Sequence, residues 1–477
     1  MPDARGTQRI APVRPAGTCS TPIVNAMATH IARWDPDDRS FWSQTGARVA
    51  RRNLLVSLPA LVLSFAVWML WSSLVVHLPA AGFRLTANQL FWLAAAPGLA
   101  GGTLRLLFAF MVPMFGGRTW TTVSTAALLL PTIGLGVVLQ DPATGFPTLL
   151  LLALAAGIGG GNFASSMANV SFLFPAGSKG SALGWNAGIG NLGVGLAQIA
   201  VPLAIGGALF GALAGPPQVT GQGEATRGVW LQNAGFVWVP FIVVAAYAAW
   251  RRMDDLDAMR ASVAEQAVVF VRGDTWRLAW LYLGSFGSFI GFSAGFPLVA
   301  ELEYGGLGIG NYAFVGPLLA AVARPAGGWF ADQYGGERVA LAAFVALALV
   351  VLAMLMVGAG GSAWFGAAGF VTLFALVFTA SGFGNGAVAQ LIPAVFDRAA
   401  RQSGAAAVNG PLGRGALEGA AALGLASGVA AFGGFFIPKA YGTALATTGS
   451  TAAALVAFLA FYVSCIAVTW WYYVRRR

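Results

Sequence analysis

Two arginines stand where a membrane-compatible run does not tolerate them without a purpose. Arg105 lies mid-run in LAAAPGLAGGTLRLLFAFMVP, and Arg324 mid-run in YAFVGPLLAAVARPAGGWF. An arginine at bilayer depth costs about 2.5–3.5 kcal/mol on insertion scales, so it must face a protein interior or an aqueous cavity. Helical spacing agrees. Gly98, Gly101, Gly102 and Ala109 share a face with Arg105, while Ala320, Ala321, Gly327, Gly328 and Ala331 flank Arg324. Small residues leave room beside each guanidinium.

The acids decide what these cations do. The 17 Asp and Glu residues fall in the N-terminal tail, in loops or near the ends of apolar runs. Asp332, Glu337, Asp397 and Glu418 lie toward one edge, Glu301 and Glu303 toward the other. None is central, so neither arginine has a resident carboxylate. A buried, unpaired cation pair calls for an anion. The planar guanidinium fork suits planar and tetrahedral oxyanions alike. A lining of Gly, Ala, Asn, Phe and Tyr implies a tight cavity, hence a small inorganic anion or a short carboxylate. The alternative is structural: each arginine bonds backbone carbonyls, Tyr or Asn and holds helices together.

The elements that must position these side chains follow from composition. Of 477 residues, 57% are hydrophobic and 9% charged, against about 25% charged in an ordinary soluble domain. A spanning helix takes about 20 apolar residues, so the chain accommodates a dozen. This excludes a soluble enzyme, a nucleic-acid binder and a disulfide-stapled secreted protein. The predicted fold class is an all-α membrane protein with twelve transmembrane helices in two pseudo-symmetric six-helix bundles. A polar tail over 1–52, expected to be poorly ordered except for a surface-lying stretch from Trp34 to Arg52, precedes bundles over 53–250 and 276–477 joined by a charged linker, 251–275. No cleavable signal peptide is expected, because no apolar core follows the N-terminal charges.

Charge sets the orientation. Of 27 Lys and Arg, 22 fall on one side: the tail, alternate loops, the linker and the C-terminus. Arg84, Arg227 and Lys439 fall on the other, and Arg105 and Arg324 lie within spans. The positive-inside rule therefore puts both termini in the cytoplasm, and explains the net charge of +10 without nucleic acid. Cys19 and Cys465 form no framework, and His30 and His77 are too few for a metal cluster. No phosphate-binding loop of the Gly-x-x-x-x-Gly-Lys-Ser/Thr type occurs, so no use of ATP is expected. No cofactor is expected.

The halves repeat weakly. Gly116-Gly117 follows Arg105 at the same separation as Gly335-Gly336 follows Arg324. Ala182-Leu183-Gly184, Gly188 and Gly193 recur as Ala422-Leu423-Gly424, Gly428 and Gly433. These pairs fall on spans two and eight and on spans five and eleven, as parallel six-span repeats require. The loop Gly328-x-x-x-Asp332-x-x-Gly335-Gly336-x-Arg338 is similar to the inter-span motif of the major facilitator superfamily; the first-half copy, ending in Gly116-Gly117-Arg118, lacks the Asp.

Longer segments resemble the NarK-type nitrate/nitrite porters of that superfamily. They are GGGNFASSMANVSFLFPAGSKGSALGWNAGIGNLGVGLAQ at 159–198, QLFWLAAAPGLAGGTLRLLFAFMVPMFGGR, YLGSFGSFIGFSAGF, ARPAGGWFADQYGGERV and GGFFIPKAYG. The resemblance runs from about residue 34 to the end. It implies that Arg105 and Arg324 grip nitrate or nitrite, that Asn191 and Tyr282 donate to the anion, and that Phe163 packs against its face. Each has a plainer reading, in which Asn191 bridges helices and Tyr282 and Phe163 are core aromatics. Asn186 and Asn385 are expected to be structural. The expected activity is nitrate-for-nitrite exchange across a prokaryotic inner membrane, by a chain functional as a monomer. Nitrate/proton symport and a passive anion channel are the alternatives.

Overall fold

The computed structural model describes residues 30–31, 33–211, 215–220, 227–256, 268–304, 307–360, 366–402 and 414–475. Cys19, most of the tail and the acidic middle of the linker lie outside them. Among the described residues twelve long helices alternate in direction. In the first half these are α1 Arg39–Leu74, α2 Ala87–Phe108, α3 Gly117–Val138, α4 Phe146–Leu173, α5 Ala176–Ile205 and α6 Asn233–Arg252. In the second they are α7 Gly273–Tyr304, α8 Val315–Tyr334, α9 Gly336–Gly360, α10 Ala367–Gln402, α11 Glu418–Thr448 and α12 Ala452–Val474. Eleven are long and apolar enough to cross a membrane. The twelfth, α8, is 20 residues long and carries Arg324 and Asp332. The chain is an integral membrane protein with the expected all-helical fold.

The start of α1, the end of α6, the start of α7 and the end of α12 share one face, called here the terminus face. Two short contacts tie it together. Strand β1 (His30–Ile31) pairs in parallel with Asp255–Leu256, just beyond α6, and the Tyr473 hydroxyl donates to Asp274 Oδ1 at 3.2 Å. Two sequence expectations need correcting at the helix ends. The stretch expected along the membrane surface is continuous with the first span from Arg39 onward. Lys439, counted in an outer loop, lies inside α11. Its Nζ donates to Asn88 Oδ1 at 2.8 Å and sits 4.6 Å from the Trp92 ring centre. The helix persists through Pro438 because its glycines pack on α2 and α7, and that tertiary contact outweighs one lost backbone bond.

The loops after the arginine helices are built alike. Gly116 and Gly335 take φ of +88° and +91°, a conformation open to glycine and costly for residues with a Cβ. The acid missing from the first-half motif comes from elsewhere. Asp255, beyond α6, accepts from the backbone N–H of Arg118 (2.8 Å) and Thr119 (3.3 Å) and from the Thr119 hydroxyl (2.9 Å). It thus caps the positive N-terminus of α3. Its neighbour Asp254 pairs with Arg52 and accepts from Asn53 Nδ2 at 2.7 Å.

Close backbone approach positions the site. Small residues let membrane helices touch where lipid offers no hydrophobic drive. In the first bundle, Gly101 of α2 lies on Gly160 of α4. In the second, Gly386 of α10 lies on the Arg324 carbonyl of α8. Gly193 packs on α1, and its repeat partner Gly433 packs on α7 at Gly287. The weak sequence repeat is therefore a repeat of helix contacts.

Candidate functional site

A capping box starts α2, the helix that carries Arg105. Thr86 Oγ1 accepts from Gln89 N at 3.2 Å, and Gln89 Oε1 accepts from Thr86 N at 2.9 Å. Asn88, Phe91, Gly98, Gly102 and Arg105 then share one helical face by their spacing. That face meets α11: Phe91 against Gly442, Gly98 against Gly434 and Gly102 against Phe432. The two bundles are thus locked together from the end opposite the terminus face along α2 to the turn before Arg105.

Arg105 is 1% exposed. Nε donates to the Gly160 carbonyl at 2.9 Å, a contact the Gly101–Gly160 approach makes possible. One terminal nitrogen, Nη1, donates across the bundle interface to the Ser427 carbonyl at 3.2 Å. The other, Nη2, is buried without a partner. Three rings surround the cation, with centres 4.6 Å (Phe163), 5.0 Å (Trp68) and 5.3 Å (Phe286) from Cζ. Such rings offset part of the desolvation of a buried guanidinium. Trp68 is held by donation from its Nε1 to the Pro97 carbonyl at 2.8 Å.

The remaining expected residues divide. Phe163 stacks on Phe286 at 6.3 Å, and Tyr282 stacks on Phe286 at 5.6 Å. Tyr282 ends an α-helical segment, and a π-helical turn at Leu283–Gly287 follows, a distortion that recurs at functional sites. Arg105, Phe163 and Tyr282 therefore form one cluster. On α5, Gly190 and Gly193 pack on Phe65, whose ring meets Phe163 at 5.7 Å, whereas Asn191 lies on a different face of that helix by its spacing. Asn191 is 2% exposed, and its Oδ1 has no partner. Arg324 is on the other bundle, outside the ring cluster. It is half-buried, and its Nη1 is buried and partnerless. Among the described residues the ion pairs are Arg52–Asp254, Arg272–Glu418, Arg277–Asp274 and Arg398–Glu337; neither span arginine takes part.

The cleft between the bundles is closed at one end. On α5, Gly177, Gly180, Gly184, Gly188, Asn191 and Gly195 recur at helical spacing on one face. Gly195 meets Leu318 of α8 and the carbonyl of Phe314 just before it, whereas Gly177, Gly180, Gly184 and Gly188 face open space. On α11, Gly424 is open and Gly428 meets Leu106 of α2. Arg105 and Asn191 sit where contact gives way to opening. The open glycines of α5 thus lie on the terminus-face side of Asn191, and the α8 contact of Gly195 on the other side.

Residue types alone did not reveal Trp68, Phe286 or the two carbonyls that hold Arg105. Trp68 lies in a uniformly apolar run, and a carbonyl leaves no mark on residue type. Asn186, expected to be structural, bridges α5 to α4, with Nδ2 donating to Ser166 Oγ at 3.0 Å. Asn385 is buried with a partnerless Oδ1.

Two six-helix bundles of spanning helices, each with an arginine inside a span, are the architecture of a membrane carrier. The chain matches the Major Facilitator Superfamily profile over residues 56–417. It belongs to the NarK-type nitrate/nitrite porters of that superfamily. It is 44% identical to the nitrate/nitrite transporter NarU of Salmonella typhimurium, over 94% of this chain and 96% of the relative. It is 38% identical to the probable nitrate/nitrite antiporter NarK2 of Thermus thermophilus, over 95% and 98%. Among solved structures, a bacterial homologue of the lysosomal transporter Spinster in an inward-facing, unoccupied conformation superposes with a TM-score of 0.61 at 17% identity, covering 88% of this chain and 96% of that one. The D-xylose–proton symporter gives 0.60 at 15%, covering 89% and 98%. At those identities the likeness concerns the fold.

Proposed function

We propose that this chain exchanges nitrate for nitrite across a prokaryotic inner membrane by alternating access, with both termini cytoplasmic and the anion held between Arg105 and Arg324. The observation that carries the reading is the unfilled donor on each arginine. One buried N–H nitrogen on each has no partner, in a protein whose spans hold no central acid. A buried donor left unmade costs about 1–3 kcal/mol, more when charged, and a small oxyanion bridging the bundles removes that cost. Asn191 and Tyr282 complete the donor set, and Phe163 covers one face of the planar anion.

Exchange follows from charge. Two guanidiniums facing one empty cleft repel each other, and a monovalent anion lowers that repulsion. Closure and inversion are then easier loaded than empty, which favours one-for-one exchange. The antiporter names of the Thermus thermophilus relatives support it. Nitrate/proton symport is the second reading, disfavoured because proton relays in membranes use Asp, Glu or His and the central parts of these spans have none. A passive channel is third. Proteoliposomes separate the three. In an exchanger, internal nitrite accelerates uptake of labelled nitrate, and a proton gradient without internal nitrite does not drive it. Strong uptake into nitrite-free vesicles driven by external acid would replace exchange with symport. Indifference to internal nitrite in both conditions would make the protein a channel.

A further inference from the structure

An open groove of about 850 Å³ lies on the terminus face between the start of α1 and the end of α6, and Arg105 does not line it. Its polar wall is Arg48, Arg51, Arg52 and Arg252; its apolar wall is Leu55 and Val56. Arg48, Arg51, Arg52 and Leu55 recur at helical spacing, so one face of α1 passes from guanidiniums to hydrocarbon within two turns. Arg52 is already paired with Asp254. Arg48 reaches only its own helix, donating to the Gln44 carbonyl at 3.3 Å. Among the described residues, neither Arg51 nor Arg252 is in an ion pair. Among the described residues, three guanidiniums around one groove therefore have no carboxylate partner.

We propose that this groove binds an anionic phospholipid of the leaflet on the terminus face, with phosphate on Arg48, Arg51 and Arg252 and acyl chain on Leu55 and Val56. Two features favour a lipid over a soluble phosphate. Leu55 is 66% exposed directly below the charges, a surface that a free anion leaves wet. Trp250, 49% exposed and 5.7 Å from Arg251 Cζ, marks the headgroup level, where such aromatic residues settle. Basic pockets between helices on the positive side of a membrane suit such headgroups. Three guanidiniums outside any ion pair among the described residues also suit a lipid with two phosphates, cardiolipin, better than one with a single phosphate. The proposal goes beyond anion transport and does not depend on it.

Native mass spectrometry of the full chain in detergent tests it, with cardiolipin, phosphatidylglycerol and phosphatidylcholine titrated in turn. The expected order of affinity is cardiolipin, then phosphatidylglycerol, then phosphatidylcholine. Neutralising one arginine (R48Q, R51Q or R252Q) weakens cardiolipin binding about fivefold, and neutralising all three about a hundredfold. Arg52 is left intact to preserve its pairing with Asp254. Excess inorganic phosphate fails to displace the lipid. Three results overturn the proposal: cardiolipin binding unchanged in the triple variant, phosphatidylcholine binding as tightly as cardiolipin, or displacement by phosphate, which marks a soluble-anion site. If the triple variant does not give a monodisperse protein, the three single variants decide by the same criterion.

Discussion

Replacing Arg105 with lysine tests the proposed clamp most sharply, because it keeps the charge and removes the fork. In the native geometry one guanidinium serves two carbonyls on different helices, Gly160 at 2.9 Å and Ser427 at 3.2 Å. It still presents a third nitrogen, Nη2, unpartnered. A lysine ammonium is a single point with rotatable donors on a shorter reach, so it cannot hold both carbonyls and also offer a donor in the anion plane. At least one charge-assisted bond is lost, worth about 1.5–3 kcal/mol, or about a 10- to 150-fold drop in transport at sub-saturating nitrate. The three rings around Cζ accept an ammonium as they accept a guanidinium, so the variant should fold. The assay is initial uptake of labelled nitrate into nitrite-loaded proteoliposomes, normalised to folded protein by gel filtration and thermal melting. Wild-type rates from Arg105→Lys, with the same half-saturation, would show that the fork is not used and that Arg105 is a helix tie.

Four further outcomes follow from other contacts. Asn191→Ala removes an amide whose Oδ1 has no partner, so thermal stability should hold while the half-saturation concentration for nitrate rises about 2- to 10-fold; a loss of stability with unchanged affinity would make Asn191 structural. A Cβ at Gly98 meets the Gly434 backbone, so Gly98→Ala should prise apart the closure opposite the terminus face and raise impermeant-maleimide labelling of a cysteine introduced at Asn88 several-fold; unaltered labelling argues against closure at that contact. Asp255→Ala strands three donors at the start of α3 and should cost about 3 kcal/mol or more, read as a lower melting temperature in detergent. Burial pushes the His77 imidazole, in the loop after α1, down to about 4 from 6.5. Between those values the unfolded chain binds a proton that the folded chain refuses. Stability is thus full above pH 6.5 and falls by about 3 kcal/mol as pH drops to 4, and His77→Gln should flatten that slope in pH-dependent melts.

Much was legible in the residues themselves because the bilayer imposes simple rules. Apolar runs of spanning length, the bias of Lys and Arg and two arginines far from any acid require no knowledge of contacts. They led to the helical spans and to the arginines whose buried donors stand free. The glycine pairs at 116 and 335 were visible as a repeat, and their positive φ supplies the reason. The rest depended on which helices touch. Trp68, Gly160, Phe286 and Ser427 converge on Arg105 from α1, α4, α7 and α11, and no local pattern encodes that meeting. Asp255 replaces an acid absent from a loop 137 residues earlier in the chain, a substitution visible only once α6 has returned to the terminus face. The glycines of α5 are chemically alike along the helix, yet some touch α1 or α8 and others face open space. Which end of the cleft is open is a property of bundle against bundle, set by packing over long separations that a one-dimensional reading of spacing does not contain.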